Sequence, residues 1–144
     1  MRKTLLLIIL ISTSIIFYGC SENSNEDSPV SLLSVDINSL NNKKILDIVY
    51  NDNLMDGVYQ IVTTNNNYIF FNGIKNEYSY ITLNLEDKTL IINCKTISSS
   101  KINKKLYVIR EKSNTSSNDK SIFFDTILLK INDKKVPFNS IKFI

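Results

Sequence analysis

The sequence predicts an all-β protein, an antiparallel meander of about eight short strands that is closed as a small barrel or stacked as a two-sheet sandwich. Three observations carry this expectation. From about residue 30 onward, apolar and polar side chains alternate at period two, the pattern of half-buried strands. The alternating runs are separated by NDNLMDG, TNNN, NGIKNE, SNTSSND and INDKK, whose Asn, Asp and Gly residues favour tight turns. No run shows a convincing helical apolar stripe.

Taken in chain order, SLLSVDINSLNNKK (31–44) is compatible with a short helix or an initial strand. KILDIVY (44–50), GVYQIVTT (57–64) and NYIFFNGI (67–74) read as strands. YSYITLNL (78–85) alternates most clearly, with Ile81, Leu83 and Leu85 on one face and Tyr80, Thr82 and Asn84 on the other. Glu86 and Asp87 then turn the chain, and TLIINCKT (89–96) resumes with Leu90, Ile92 and Cys94 on one side, which makes a hairpin. KLYVIRE (105–111), SIFFDTILLKI (121–131) and VPFNSIKFI (136–144) complete the set. Asp125, inside the apolar IFFDTILL, marks an outward face or a bulge, or it lines a cavity.

The 144 residues carry a formal charge of +3, part of it from Arg2 and Lys3 at the start of the chain. Without an N-terminal targeting segment and tether, about 115 residues remain, a single-domain length. The lysines are scattered among acids, and the one dense group, Lys101, Lys104 and Lys105, reads as a solvated loop. A nucleic-acid partner, which wants a concentrated basic face, is not expected.

Arg2 and Lys3 precede LLLIILISTSIIFYG (5–19), the charged and apolar regions of an export signal. As a helix, Leu5 to Phe17 spans about 20 Å against the roughly 30 Å of a hydrocarbon core, so it is short for a permanent span. Its end, Phe17, Tyr18, Gly19 and Cys20, resembles the lipobox of bacterial lipoproteins, with Phe17 and Tyr18 standing where an aliphatic and a small residue are commoner. The resemblance implies that residues 1–19 are removed and that the Cys20 thiol carries a diacylglycerol. Two acyl chains give stable anchoring where one gives only reversible binding. SENSNEDS, after the cysteine, is too polar to bury itself, so 20–29 reads as a flexible tether ahead of a single domain over 30–144. The implied address is an extracytoplasmic membrane face, on the cell membrane or an outer membrane.

LMDGVYQIV (54–62) is similar to the first-strand signature of lipocalins and the wider calycin group, Gly-x-Trp, with Tyr in place of Trp at Tyr59 after Gly57. That resemblance implies a barrel closed by an arginine packed over the aromatic ring. Arg110, on a late strand, would make this contact with Tyr59 as a cation-π pair. A turn glycine followed by a core tyrosine is the plainer reading of the same residues. Phe71 and Tyr107 are candidates, with Tyr59, to line a barrel mouth.

The chain has no histidine, which removes Ser-His-Asp and Cys-His catalysis and His-ligated zinc. With Cys20 lipidated, Cys94 has no intramolecular disulfide partner, and its alternation with Leu90 and Ile92 makes it a small buried hydrophobe. NDNLMDG fails as a calcium loop, because counting from Asp52 puts Leu54 at the third position and Thr63 at the twelfth. No metal, cofactor or enzymatic activity is expected. The expectation is a lipid-anchored binding module for a small apolar ligand or, alternatively, a structural or protein-interaction lipoprotein without a ligand cavity.

Overall fold

The computed structural model describes residues 28–112 and 123–142. The signal sequence, Cys20, residues 21–27 of the tether and the SNTSSND turn therefore lie outside the described residues. Strand β1 (Val30–Val35) leads through a 3-10 turn (Ile37–Ser39) to helix α1 (Lys43–Val49). Strands β2 (Gly57–Val62), β3 (Asn67–Gly73), β4 (Asn76–Glu86), β5 (Thr89–Ser98) and β6 (Asn103–Glu111) follow. Strands β7 (Thr126–Ile131), β8 (Lys134–Val136) and β9 (Asn139–Lys142) end the described chain.

The strands form two sheets, one ordered β1-β6-β3-β2-β9 and the other β4-β5-β7-β8. The all-β expectation holds, and of its two forms the sandwich is the one present; the sheets do not close into a barrel. The meander departs from strict antiparallel order at two pairs, β2 with β9 and β5 with β7, which run parallel. Both involve the C-terminal strands, which return to sheets already built, β7 also pairing antiparallel with its sequence neighbour β8. At the edges β1 lies alongside β4, and only Pro137 and Phe138 separate β8 from β9.

KILDIVY forms α1 instead of a strand. Asn42 caps it, its side chain accepting from Ile45 N at 3.3 Å, and Ile45 and Val49, four residues apart, bury one face. That face packs on Tyr59, Ile61, Tyr68, Phe70, Leu106 and Val108 of the five-stranded sheet. The opposite face of the same sheet, through Val58, Ile69, Phe71 and Ile109, meets Leu90, Ile92, Cys94 and Leu129 of the second sheet. The five-stranded sheet is thus a middle layer, which explains why β3 is buried almost from end to end.

The expected faces recur. Ile81, Leu83 and Leu85 join the inter-sheet core, as do Leu90, Ile92 and Cys94. The β4-β5 turn is one residue later than expected, with Asp87 and Lys88 both at positive φ, and Asn132 and Asp133 do the same between β7 and β8. Paired positive φ at a two-residue loop is the turn that suits the right-handed twist of a hairpin. Asp125 is exposed just before β7, its N–H donating to Lys88 O at 2.8 Å, so its side chain lines no interior cavity.

At Gly73 the chain leaves one sheet for the other. A Cβ there would fall against the carbonyl oxygens of Asn76 and Asn103, the latter at 2.6 Å. Both oxygens belong to backbone that neighbouring strands hold in place. Gly73→Ala is therefore expected to destabilise the fold by about 2 kcal/mol, read as a lower urea midpoint at unchanged m-value; an unchanged midpoint would show that this crossing can open.

Candidate functional site

The loop NDNLMDG, unfit for calcium, is organised around its last acid. Oδ2 of Asp56 accepts from the backbone N–H groups of Ile74, Lys75 and Asn76 at 2.8, 2.6 and 3.0 Å. Oδ1 accepts from Asn76 Nδ2 at 3.0 Å and from the Tyr78 hydroxyl at 2.8 Å. One carboxylate thus binds the link between β3 and β4 to the loop that enters β2. Burial pushes the Asp56 carboxyl up, but the hydrogen bonds from Asn76, Lys75, Tyr78 and Ile74 outweigh it and hold it at about 2, against an ordinary 3.8.

Two further side chains fix the same loop. Asn72, fully buried, donates through Nδ2 to the carbonyls of Leu54 and Met55 at 3.0 and 2.9 Å, while its Oδ1 accepts no hydrogen bond. The Tyr59 hydroxyl also donates to Met55 O, at 2.9 Å. Burial, and then the nearby Asp56 charge, raise the Tyr59 hydroxyl above its ordinary range. Burial raises Tyr78 further, helped by its bond to Asp56 and by that charge.

The β5-β6 connection joins this knot through Ser99 N, which donates to Lys75 O at 3.0 Å. The lysine group read as a solvated loop divides here. Lys101 is exposed on the connection, whereas Lys104 and Lys105 lie on β6. Lys104 Nζ donates to Val49 O at 2.7 Å, satisfying an end carbonyl of α1 with a cation where the helix dipole favours one. Lys105 Nζ donates across the sandwich to Tyr78 O at 2.7 Å.

Three segments, 50–56, 74–76 and 97–102, therefore meet at one pole of the sandwich. They present Met55, Ile97 and Ile102 at 76, 61 and 69 % exposure, beside exposed Lys75, Lys95 and Lys101. The other pole carries the N-terminal end of the domain: Val30 pairs with Glu111 at the far end of β6, and Lys112 N donates to Pro29 O at 2.8 Å. From Asn103 to Glu111 the two poles are about 26 Å apart at the usual strand rise.

The residues expected to close a barrel are separated. Gly57 opens β2 opposite Asn72. Tyr59 is opposite Phe70, and Phe70 is opposite Leu106, four residues before Arg110, which puts Tyr59 and Arg110 about 13 Å apart along the strands. Tyr59 is buried with its ring 6.2 Å from Phe70, while Arg110 is exposed and donates to Asn66 Oδ1 at 3.2 Å. Phe71 and Tyr107 do come together, at 5.8 Å and nearly edge-to-face, with Tyr78 at 5.6 Å on Phe71. Phe71 has no exposed surface. Burial pushes the Cys94 thiol up to about 11, which keeps it in the inert thiol form.

Chemically, the Asp56 cluster fixes loops. Its oxygens are engaged by five donors and its charge persists to low pH, so it is a weak base near pH 7. No group of three or more His, Cys, Asp or Glu side chains is placed to hold a metal ion among the described residues. No family model matches the sequence, and no curated protein or solved structure is significantly similar to it.

Proposed function

We propose that this chain is an extracytoplasmic lipoprotein, anchored through Cys20, that acts through the surface of its β-sandwich rather than by carrying a small molecule inside it. The supporting observation is the packing of the would-be ligand-lining aromatics. Phe71 is wholly buried and in ring contact with Tyr78 and Tyr107, so these side chains fill the space between the sheets. A carrier needs its aromatics turned towards a cavity of several hundred cubic ångströms. The surface best built for display is the loop pole held by Asp56, at the end of the domain away from the tether. This is the structural or interaction role of the two functional alternatives.

Mass spectrometry of the protein isolated from its native membrane tests the reading. The mature N-terminus is expected at Cys20 with a diacylglycerol attached, and Cys20→Ser is expected to remain unprocessed. Organic extraction of the same preparation is expected to release no stoichiometric apolar molecule beyond that anchor. An N-terminus elsewhere refutes the address, and a stoichiometric ligand refutes action through the surface.

A further inference from the structure

We propose that the chain pairs with a second copy of itself along the free edge of β1, on a two-fold axis through Leu33 that makes the two five-stranded sheets continuous. The inference goes beyond the reading of Cys20 as an anchor and does not depend on it. Each sheet ends in two edge strands, and an edge presents backbone groups that can pair with another chain. On three of these edges something opposes such pairing. β8 is three residues long with Lys134 and Lys135, β9 is four residues long, and β4 is broken by a bulge between Ser79 and Thr82, where Tyr80 takes a φ of 50°. β1 has none of these features. Its six residues, Val-Ser-Leu-Leu-Ser-Val, hold no charge and no proline, and their register with β6 is unbroken.

The hydrogen-bond phase of β1 fixes which of its backbone groups are free. Lys112 N–H donates to Pro29 O at 2.8 Å, and Val30 lies opposite Glu111. Antiparallel pairs alternate between bonded and unbonded positions, so the groups of Ser31, Leu33 and Val35 turn towards β6 and those of Val30, Leu32 and Ser34 turn outwards. The Ser28 hydroxyl serves Val30, donating to its carbonyl at 2.7 Å and accepting from its N–H at 3.4 Å. The N–H and C=O of Leu32 and of Ser34 have no partner among the described residues. Beside them the Leu33 side chain is 50 % exposed, opposite Val108 on the face that carries α1, and Ser34 is exposed on the other face.

These four groups specify their own complement. When two β1 strands run antiparallel about Leu33, Leu32 of each copy lies opposite Ser34 of the other and exchanges both bonds with it, so every free group is satisfied. Other axes do worse. One through Leu32 sets Ser34 against Val30, which Ser28 already serves, and one through Ser34 sets Leu32 against Asp36, whose carbonyl accepts from Ser39 N–H at 3.1 Å. With the axis at Leu33, the two leucines meet at an unbonded position, where Cα atoms stand about 4.5 Å apart and side chains are closest. Asp36 then faces Val30, and Arg110 and Glu111 stay one strand further in, opposite Ser31 and Val30, so no like charges are directly opposed. A strand from a different protein would find the same groups, but only a second copy brings the match by symmetry. Four hydrogen bonds and one apolar pair make a small contact, so the association is reversible.

The test uses the full chain in detergent micelles, oxidised with copper phenanthroline, with the wild type as background for its native cysteines. Leu33→Cys is expected to form an interchain disulfide, because the Cα separation at the axis lies within the range a disulfide spans. Ser34→Cys is exposed too but stands two residues out of step with its own copy, so it should link at least about ten-fold more slowly; this control also measures chance encounters within one micelle. Sedimentation of the wild type should show monomer and dimer in a concentration-dependent equilibrium. Ser34→Pro removes an N–H that the single copy does not use, so it should weaken dimerisation at least about ten-fold with the urea midpoint unchanged. Should that variant fail to fold, Leu33→Lys sets like charges opposite each other on an exposed position, and it should weaken the dimer in a way that added salt partly reverses. The proposal is overturned if Leu33→Cys stays unlinked, if Ser34→Cys links as fast, if the wild type sediments as a monomer at every concentration, or if Leu33→Lys dimerises as the wild type does.

Discussion

Asp56→Ala is expected to lower the free energy of unfolding by about 3 kcal/mol at pH 7. The side chain accepts five hydrogen bonds, three of them from consecutive backbone N–H groups. Bonds to a charged acceptor contribute about 1.5–3 kcal/mol each when well shielded. Asp56 is only half-buried, so water replaces part of what is lost and the sum is discounted accordingly. The ionisable part has its own signature. The carboxyl titrates at about 2 in the folded protein against 3.8 ordinarily, so its stabilisation is fully present above that ordinary value and is lost as the pH falls through 3.8 towards 2. After discounting for exposure this part is about 1–2 kcal/mol. Urea titrations at pH 7, 5, 3 and 2 should show the gap between wild type and Asp56→Ala narrowing below pH 4. A gap independent of pH would mean that the side chain acts by shape and not by charge. Tyr78→Phe removes one of the five donors and should cost about 1 kcal/mol.

The Asp56 knot also marks the limit of what the sequence discloses. Three of its five donors are backbone N–H groups at 74–76, which any non-proline sequence there would supply, and they lie 18 to 20 residues away. The visible cue was an acid in a turn beside glycine, and a turn was all it implied. The helix was missed for a different reason. KILDIVY is seven residues long and rich in Ile, Val and Tyr, so strand and helix patterns overlap in it, and the deciding signals are Asn42 as cap and the four-residue spacing of Ile45 and Val49. β4 was legible because one face meets water, which imposes alternation, while in β5 buried Ile91 interrupts the pattern and it resumes from Ile92 to Lys95. In β3 the alternation vanishes between two cores, and YIFF is itself the mark of a middle layer. The parallel pairings of β7 and β9 were beyond reach, because period-two alternation fixes a strand's faces and not its neighbours.

Phe71→Ala discriminates most sharply between a filled sandwich and a carrier. Phe71 sits on the central strand of the middle layer, with Val58 and Lys105 as its cross-strand partners and Tyr78 and Tyr107 against its ring. If the interior is filled, truncation removes apolar contact on every side and leaves a void that the two sheets cannot close. Substitutions of this kind cost about 3–5 kcal/mol, and the aromatic pairs account for about 0.5–1.5 kcal/mol each beyond the area they bury. That is a large fraction of the stability of about 5–15 kcal/mol usual for a natural domain. The variant should therefore unfold at a much lower urea concentration with an unchanged m-value, and benzene should restore part of the loss by entering the new dry cavity. If Phe71 instead borders a cavity that holds a ligand, truncation only enlarges a space that already exists. The cost would then fall below about 1.5 kcal/mol, and the apolar material extracted with the protein would change in amount. The first outcome leaves the exterior as the working part of the molecule; the second returns the function to its interior.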